Sequence, residues 1–513
     1  MAEKEGSGPA LYQRIGLVLG PVAALVIAFA FTPEGLPPEA RLVAAIGSWM
    51  AIWWATEAIP IAATALIPLA LFPLLGIADA RAAASPYAST TVMLLLGGFI
   101  VAMTIERWNL HSRIALNVVS GFGGKPAMMI AGFMAASALL SMWISNTATT
   151  LMMIPIALKV AEEIQREGAG SKLFAPALAL GVAYAASIGG VATPVGTPTN
   201  LITLEFMTRE FGTARMSFPE WMAMGVPAAL LVLPIGWFVL TKWAFRVKGE
   251  GNPAAREVVR EEIRALGPIT APEARAAALF GTVAILWMGR VLPPELISWT
   301  GLWSGGDWGW NPLLAWISDQ TGLGVTLALN DMQIAVFGAL AAFLVPAGGQ
   351  AKGEALMDWE TATRLPWNVI ILFGGGISLA AALSATGLAD WLGAQMSFAA
   401  SWPPALLVLA LVLFVLFLTE LTSNVATISA FLPVMAALAA GAGVPPEQLI
   451  IPVTIAASCA FMLPVATAPN AIVYASGAVT QGQMIKAGVR LNLLAALAIT
   501  AVGALIGPIL FGG

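Results

Sequence analysis

Two polar strings interrupt long apolar stretches of the chain: "WISNTATT" at 143–150 and "TSNVATIS" at 422–429. Ser145-Asn146 and Ser423-Asn424 lie 278 residues apart (423 − 145), and Ala148-Thr149 matches Ala426-Thr427 at the same distance. A second pair, "VGTPTN" (195–200) and "VATAPN" (465–470), repeats at an offset of 270. Pro198 and Pro469 have no N–H, so the carbonyls four residues earlier, on Pro194 and Val465, lose their helical partners. Serine, threonine and asparagine oxygens and freed carbonyls are hard neutral ligands suited to Na⁺. Half-helix N-termini offer N–H groups and positive dipole ends suited to carboxylate. None of the four strings contains Lys, Arg or His, so a dianion bound there has no protein counter-charge. At an effective dielectric of about 20 and roughly 5 Å, one Na⁺ contributes on the order of 3 kcal/mol per anionic charge. The cation must therefore arrive first to make the anion site. Carrying net positive charge inward with a dicarboxylate takes more than two Na⁺, and each surplus charge gains about 2.3 kcal/mol per 100 mV.

Other chemistries fit these residues less well. Ser145 or Ser423 as a hydrolytic nucleophile needs an activating base. The only histidine, His111, stands beside Arg107 and Arg113 in a polar stretch and reads as a solvated surface residue. Cys459 is the only cysteine and can form neither an internal disulfide nor a metal cage. A purely structural or receptor-like protein would need no broken-helix pairs. Glu57 lies at an expected turn, and Glu420, three residues before Ser423, is either a proton-coupling group or a hydrogen-bonded structural acid.

The elements that position these strings are read from composition and charge. Of 513 residues 59% are hydrophobic and 10% charged, against about 25% charged in soluble domains; this defines a polytopic membrane protein. The net charge of −4 gives no reason to expect a nucleic acid partner. Residues 15–32 read as an uncleaved first span, because the preceding segment is a poor signal-peptide start. Spans of about 20 apolar residues, with Lys and Arg concentrated in cytoplasmic loops, follow at about 41–57, 59–76, from Thr91, and at 173–193, 221–245, 273–291, 331–347, 367–385, 449–480 (broken) and 489–510. The segments 126–158 and 402–440 are too long for one span and too short for two. Basic residues flank both ends of the first; the second is flanked only by acids. They read as hairpins entering from opposite faces, with Ser-Asn at each tip. The expected fold is all-α: about eleven transmembrane helices and two re-entrant hairpins in an inverted repeat, with a cytoplasmic N-terminus and an external C-terminus.

Further matches support the repeat. "LLGGFI" (95–100) resembles "FGGGIS" (373–378), and Pro155 pairs with Pro433. Paired helix breaks in two halves are the sequence mark of a transporter's binding site. The domain reading follows. Residues 1–105 form scaffold helices and the start of repeat 1. Residues 106–220 form the first transport half, with its hairpin and a broken helix at 173–207. Residues 221–366 are scaffold, with a cytoplasmic arm at 246–272 and an external Trp-rich loop at 292–330. Residues 367–488 form the second transport half, and 489–513 a C-terminal helix.

The strings "ISNTATTLMMIPIA", "SIGGVATPVGTPTN", "TSNVATISAFLP" and "SCAFMLPVATAPNAIVYASG" resemble the divalent anion:Na⁺ symporters, the INDY-like di- and tricarboxylate transporters, over nearly the whole chain. The last string keeps the family spacing of Ser458, Phe461, Pro464, Ala466, Asn470 and Val473. An N-terminus that reads as no targeting sequence fits a bacterial inner membrane, and the resemblance implies a homodimer whose scaffold holds transport domains that move as elevators. It implies Na⁺-coupled import of succinate, fumarate or malate, with a citrate-preferring symporter or a dicarboxylate exchanger as alternatives. It assigns a first Na⁺ site to Ser141, Ser145, Asn146 and Gly196, and a second to Thr419, Asn424, Ala466 and the backbone near Ala468. Substrate carboxylates would meet Asn146, Thr147, Thr197, Ser423, Asn424 and Thr467, with Ser145 and Val425 beside them. Val425 departs from the family's Ser-Asn-Thr tip and removes one hydroxyl; Ala468 stands where Pro is common.

Overall fold

The computed structural model describes residues 11–166, 173–211, 217–249, 253–290, 309–322, 327–349, 351–395 and 401–511. They form a polytopic, mostly helical membrane protein. Six helices are long and apolar enough to cross a bilayer: Leu11–Ala30, Ala80–Arg107, Phe218–Ala244, Trp367–Ala385, Asn424–Ala442 and Gln481–Phe511. Five shorter apolar helices accompany them. Leu11–Ala30 lies at the periphery. Only Gly16, Gly20 and Ala24 are buried, while Leu11, Val18, Leu25 and Phe29 are exposed. Such a face is stable against lipid, where the helix satisfies its own backbone.

Each of the two expected hairpin segments folds as a pair of helices joined by a short turn. The first joins Pro126–Ser141 to Asn146–Arg166, the second Pro404–Leu418 to Asn424–Ala442. Both expected broken helices form too, as Phe174–Gly190 with Pro198–Phe211 and as Pro446–Ala457 with Ala468–Ala475. The prolines do not sit in mid-break. Pro198 opens its half-helix, and Pro469 follows the Thr467 cap by two residues. A missing N–H costs nothing in a first turn, where no helical acceptor exists.

The broken helices are the centre of the molecule. Every residue from Pro176 to Gly190 and from Leu449 to Ala457 is buried. Small residues allow this packing: a Cβ on Gly189 would lie 2.2 Å from the Ala138 carbonyl oxygen of the first hairpin. Close backbone approach through small residues is how helices associate where lipid removes the hydrophobic drive.

Four expectations need correction. The span at 59–76 is two pieces, Ile61–Thr64 and Ile67–Leu74, because Pro68 starts a new helix instead of continuing the old one. The all-α reading misses a small antiparallel ribbon, Pro346–Gly348 with Ala351–Ala355, which turns where Gly348 and Gly349 take φ of +76° and +58°. His111 is half-buried, with Nδ1 3.3 Å from the Ile105 carbonyl oxygen. It lies in an amphipathic helix, Leu110–Ser120, that packs on the first hairpin. The span expected at 489–510 begins at Gln481, so Lys486 and Arg490 lie inside the helix and not in a preceding loop. Most of the Trp-rich loop 292–330 lies outside the described residues; within it Trp310–Thr321 is a helix.

One face of the bundle carries most of the ionic links between elements; Arg290–Asp331, at 2.8 Å, lies at the other end of Ala271–Met288. Arg107 pairs with Glu354 at 2.9 Å and Asp358 at 2.6 Å, and Arg113 with Glu273 at 3.0 Å. Lys159 of the first hairpin pairs with Glu262 at 2.6 Å, on the helix Pro253–Ala265 of the expected arm.

Candidate functional site

The two hairpin tips are built alike. Ser141 Oγ donates to Asn146 Oδ1 at 2.6 Å, and 278 residues later Thr419 Oγ1 donates to Asn424 Oδ1 at 2.7 Å. In each, a hydroxyl at the end of one limb locks the first asparagine of the next. The amide oxygen is thereby aimed back into the turn. Thr419 also donates to the Ala457 carbonyl at 3.0 Å, tying the second tip to its broken helix.

The two breaks are alike as well. Asn200 Nδ2 donates to the carbonyls of Gly190 (3.0 Å) and Thr193 (2.8 Å). At an offset of 270, Asn470 Nδ2 donates to those of Ala460 (3.1 Å) and Leu463 (3.0 Å). Each asparagine closes the unwound loop, supplying donors that the missing helical turn cannot. Hydroxyl pairs bind one break to the other: Thr199 to Ser458 and Thr203 to Thr454, both at 2.8 Å.

Both tips and both breaks meet at one cavity of about 640 Å³. Ser145, Asn146, Thr147, Gly196, Thr197, Ser423, Asn424, Val425, Ala466, Thr467 and Ala468 line it. Ser141 and Thr419, both fully buried, stand one layer behind their asparagines. The structure thus brings every residue that the resemblance assigns to a Na⁺ or carboxylate site into one cavity or directly behind it. Four helix N-termini, at Asn146, Pro198, Asn424 and Ala468, face this space. Some of their donors are already used: Ser145 Oγ accepts from Ala148 N at 3.2 Å and Thr467 Oγ1 from Asn470 N at 3.2 Å. Ser423 makes no such cap bond, so its hydroxyl is free to turn into the cavity.

Gly190 belongs to the first tip, although sequence reasoning passed over it. A Cβ there would lie 2.5 Å from Asn146 Oδ1, and a Cβ on Gly196 would lie 2.4 Å from the Gly190 carbonyl oxygen. Asn146, Gly190 and Gly196 therefore pack too closely to admit a methyl group at either glycine. The adjacent pair Gly189-Gly190 just before the break was the available signal. Glu57, Glu106, Arg364 and Asn368 also line the cavity, beyond the tips. They lie at the ends of Pro38–Thr56 and Thr90–Arg107 and around the start of Trp367–Ala385, next to the ionic face. Glu57 caps its helix in the left-handed conformation, φ 47°. Glu57 stood out at an expected turn, but nothing in the sequence pattern announced Glu106, Arg364 or Asn368.

Glu420 is 2% exposed and faces away from the cavity. Its carboxylate accepts from Phe461 N (2.7 Å), Met462 N (2.9 Å), Leu463 N (3.0 Å) and Asn492 Nδ2 (2.7 Å). It is a hydrogen-bonded acid that holds the second break against its own hairpin. The first repeat solves the same problem differently, with Thr193 Oγ1 donating to the Met142 carbonyl.

Paired hairpins and broken helices around one polar cavity at the centre of an apolar bundle define a secondary membrane transporter. The chain belongs to the sodium:sulfate symporter family: residues 12–512 match the model described as the sodium:sulfate symporter transmembrane region. It is a transporter and not an enzyme. It is 36% identical over 516 residues to the sodium-dependent dicarboxylate transporter SdcS of Staphylococcus saprophyticus, covering 99% of this chain and 94% of that one. To SdcS of Staphylococcus aureus it is 38% identical over 506 residues, covering 98% and 92%. In fold it is similar to Neisseria gonorrhoeae MtrF, described among antimetabolite efflux pumps, with a TM-score of 0.55, 15% identity and 98% and 95% coverage. It is similar also to the Alcanivorax borkumensis YdaH transporter (TM-score 0.54, 15% identity, 98% of both chains).

Proposed function

We propose that the protein is a Na⁺-coupled symporter that imports C4-dicarboxylates such as succinate, fumarate and malate. One observation carries this reading: the cavity joins two locked asparagine-hydroxyl tips to four helix N-termini, and no Lys, Arg or His stands in the strings that form them. Oxygen cages bind Na⁺, the N-termini bind carboxylate, and the cations supply the missing counter-charge. The dicarboxylate-transporting relatives support the same substrate class.

In this reading Ser141, Ser145, Asn146 and Gly196 hold one Na⁺. Thr419, Asn424, Ala466 and Ala468 hold a second. Asn146, Thr147, Thr197, Ser423, Asn424 and Thr467 receive the carboxylates, with Val425 as an apolar wall. The hairpins, the broken helices and residues up to 488 form two transport halves that move against scaffold helices from 1–105 and 221–366, as an elevator within a homodimer. The chain lies in a bacterial inner membrane with its N-terminus cytoplasmic and its C-terminus external. About eleven spans and two re-entrant hairpins complete this topology.

The test is radiolabelled succinate uptake into proteoliposomes, with an inward Na⁺ gradient against a K⁺ control. Uptake only with Na⁺, competed by unlabelled succinate, is the expected result, and a citrate competition curve sets the substrate preference. Uptake only into succinate-loaded vesicles without Na⁺ would make the protein an exchanger instead.

A further inference from the structure

We infer that Arg364, in the turn before Trp367–Ala385, with Asn368 in the first turn of that helix, is a second anion subsite at the mouth of the cavity, which takes the dicarboxylate after it leaves the hairpin tips. This rests on the dicarboxylate reading above. Pockets for drug-sized ligands run from about 300 to 1,000 Å³, so a cavity of about 640 Å³ has room for a four-carbon dianion in more than one position. Arg364 is the one Lys or Arg among the described residues that line it; the acids Glu57 and Glu106 line the same outer part.

The Arg364 backbone is held in place, while its guanidinium is only weakly committed. The backbone is fixed by a hydrogen bond from Arg364 N to the Thr361 carbonyl at 3.1 Å, by the buried Leu365 beside it, and by Pro366 leading into Trp367–Ala385. The side chain is 70% exposed, and its ion pair is with Glu360 at 3.5 Å, itself 87% exposed. Such a pair contributes little and exchanges readily. Asp358, the next acid, is occupied by Arg107 at 2.6 Å and by Thr361 N at 2.7 Å. An incoming carboxylate can therefore displace Glu360 and take the planar fork in a bidentate pair.

The subsite answers a need that the tips create. Once Na⁺ leaves them, the dianion has lost its counter-charge and must pass Glu57 and Glu106. Without Arg364 the charged groups that line that path are carboxyl groups alone. One fixed cation in a wet vestibule should change the apparent affinity of a dianion on this face by about fivefold to tenfold at low salt. The effect should shrink once the Debye length falls below about 10 Å.

The experiment measures the half-saturating succinate concentration separately at each face of reconstituted full-length protein, by uptake and by efflux, at low and at high ionic strength. Arg364→Gln should raise it about fivefold to tenfold at one face only, and only at low ionic strength; Arg364→Lys should restore most of the loss. An unchanged value at both faces, or an equal salt-independent rise at both, overturns the subsite. Wild-type protein without Na⁺-dependent succinate uptake would instead overturn the functional reading on which the subsite depends.

Discussion

Replacing Glu420 by Gln should loosen the second helix break without touching a residue of the cavity. The carboxylate accepts four donors, and three of them are consecutive backbone N–H groups, on Phe461, Met462 and Leu463, in a stretch without helical partners. A glutamine keeps one acceptor oxygen and turns an NH₂ toward two of those N–H groups. Two charge-assisted bonds at about 1.5–3 kcal/mol each are then lost; local relaxation returns part, leaving roughly 3 kcal/mol. The single cysteine provides the assay. Cys459 lies in the break and is 1% exposed, so its modification by a maleimide requires the segment to open. Where opening is fast, the labelling rate follows the open population, and 3 kcal/mol is about a hundredfold in that population. Glu420→Gln should therefore label about a hundredfold faster than wild type, and Na⁺ should slow both by favouring the closed break. Labelling at the wild-type rate would refute the structural role. If transport were lost as well, Glu420 would be a group used in the transport cycle, such as a proton carrier.

Other substitutions read the site directly. Asn146→Ala and Asn424→Ala should each abolish Na⁺-dependent uptake while the purified protein keeps its elution profile; uptake retained in both would sink the assignment of the tips. Gly196→Ala places a Cβ 2.4 Å from the Gly190 carbonyl oxygen and should raise the half-saturating Na⁺ concentration at least tenfold, measured as succinate uptake against Na⁺. Val425→Thr restores a hydroxyl to the cavity wall and should change the ratio of citrate to succinate inhibition; identical competition curves would show that this position does not read the anion. Burial holds the His111 imidazole below its usual pKa, opposed by its Ile105 carbonyl contact. The unfolded chain therefore takes up the proton first as pH falls below about 6.5, and stability is lost from there down to the folded pKa. Melting curves at about pH 7.5 and 5.5 should differ less for His111→Gln than for wild type.

The local design of the site was legible because it is written in contiguous strings. Polar residues inside apolar runs, and prolines where a helix should continue, need no tertiary information to stand out. The repeat gave their partners, since Asn146 and Asn424, or Asn200 and Asn470, keep one offset each. Arg364 and Glu106 could not be read this way. Each ends or precedes an ordinary helix beside other surface charges, and only the packing of three distant helices turns them toward the cavity. Gly190 shows the intermediate case. Its pair with Gly189 was visible, but the reason for it, an approach to Asn146 and Gly196 too close for a Cβ, is a property of three dimensions. The ribbon at 346–355 was hidden for another reason: Gly and Ala carry little strand preference, and two positive-φ glycines, not a β pattern, fold it back.

Magnitudes decide why such a site is coupled. On the proposed assignment, four helix N-termini meet the substrate, each contributing about 0.3–1 kcal/mol and up to about 2 when partly buried. Two of the four already spend a donor on their own caps, Ser145 and Thr467. The ends together therefore offer on the order of 3 kcal/mol. Two Na⁺ at roughly 5 Å, each worth about 3 kcal/mol for each of two carboxylates, offer several times as much before desolvation is charged against them. The anion's affinity is thus carried by the ions and only steered by the helices. A tip cation placed in these strings would strengthen binding and remove the need for Na⁺, leaving a carrier that runs down its substrate gradient without reference to the sodium gradient. Placing the fixed positive charge at Arg364, outside the tips and at the mouth, keeps that dependence while still offering the departing dianion a partner.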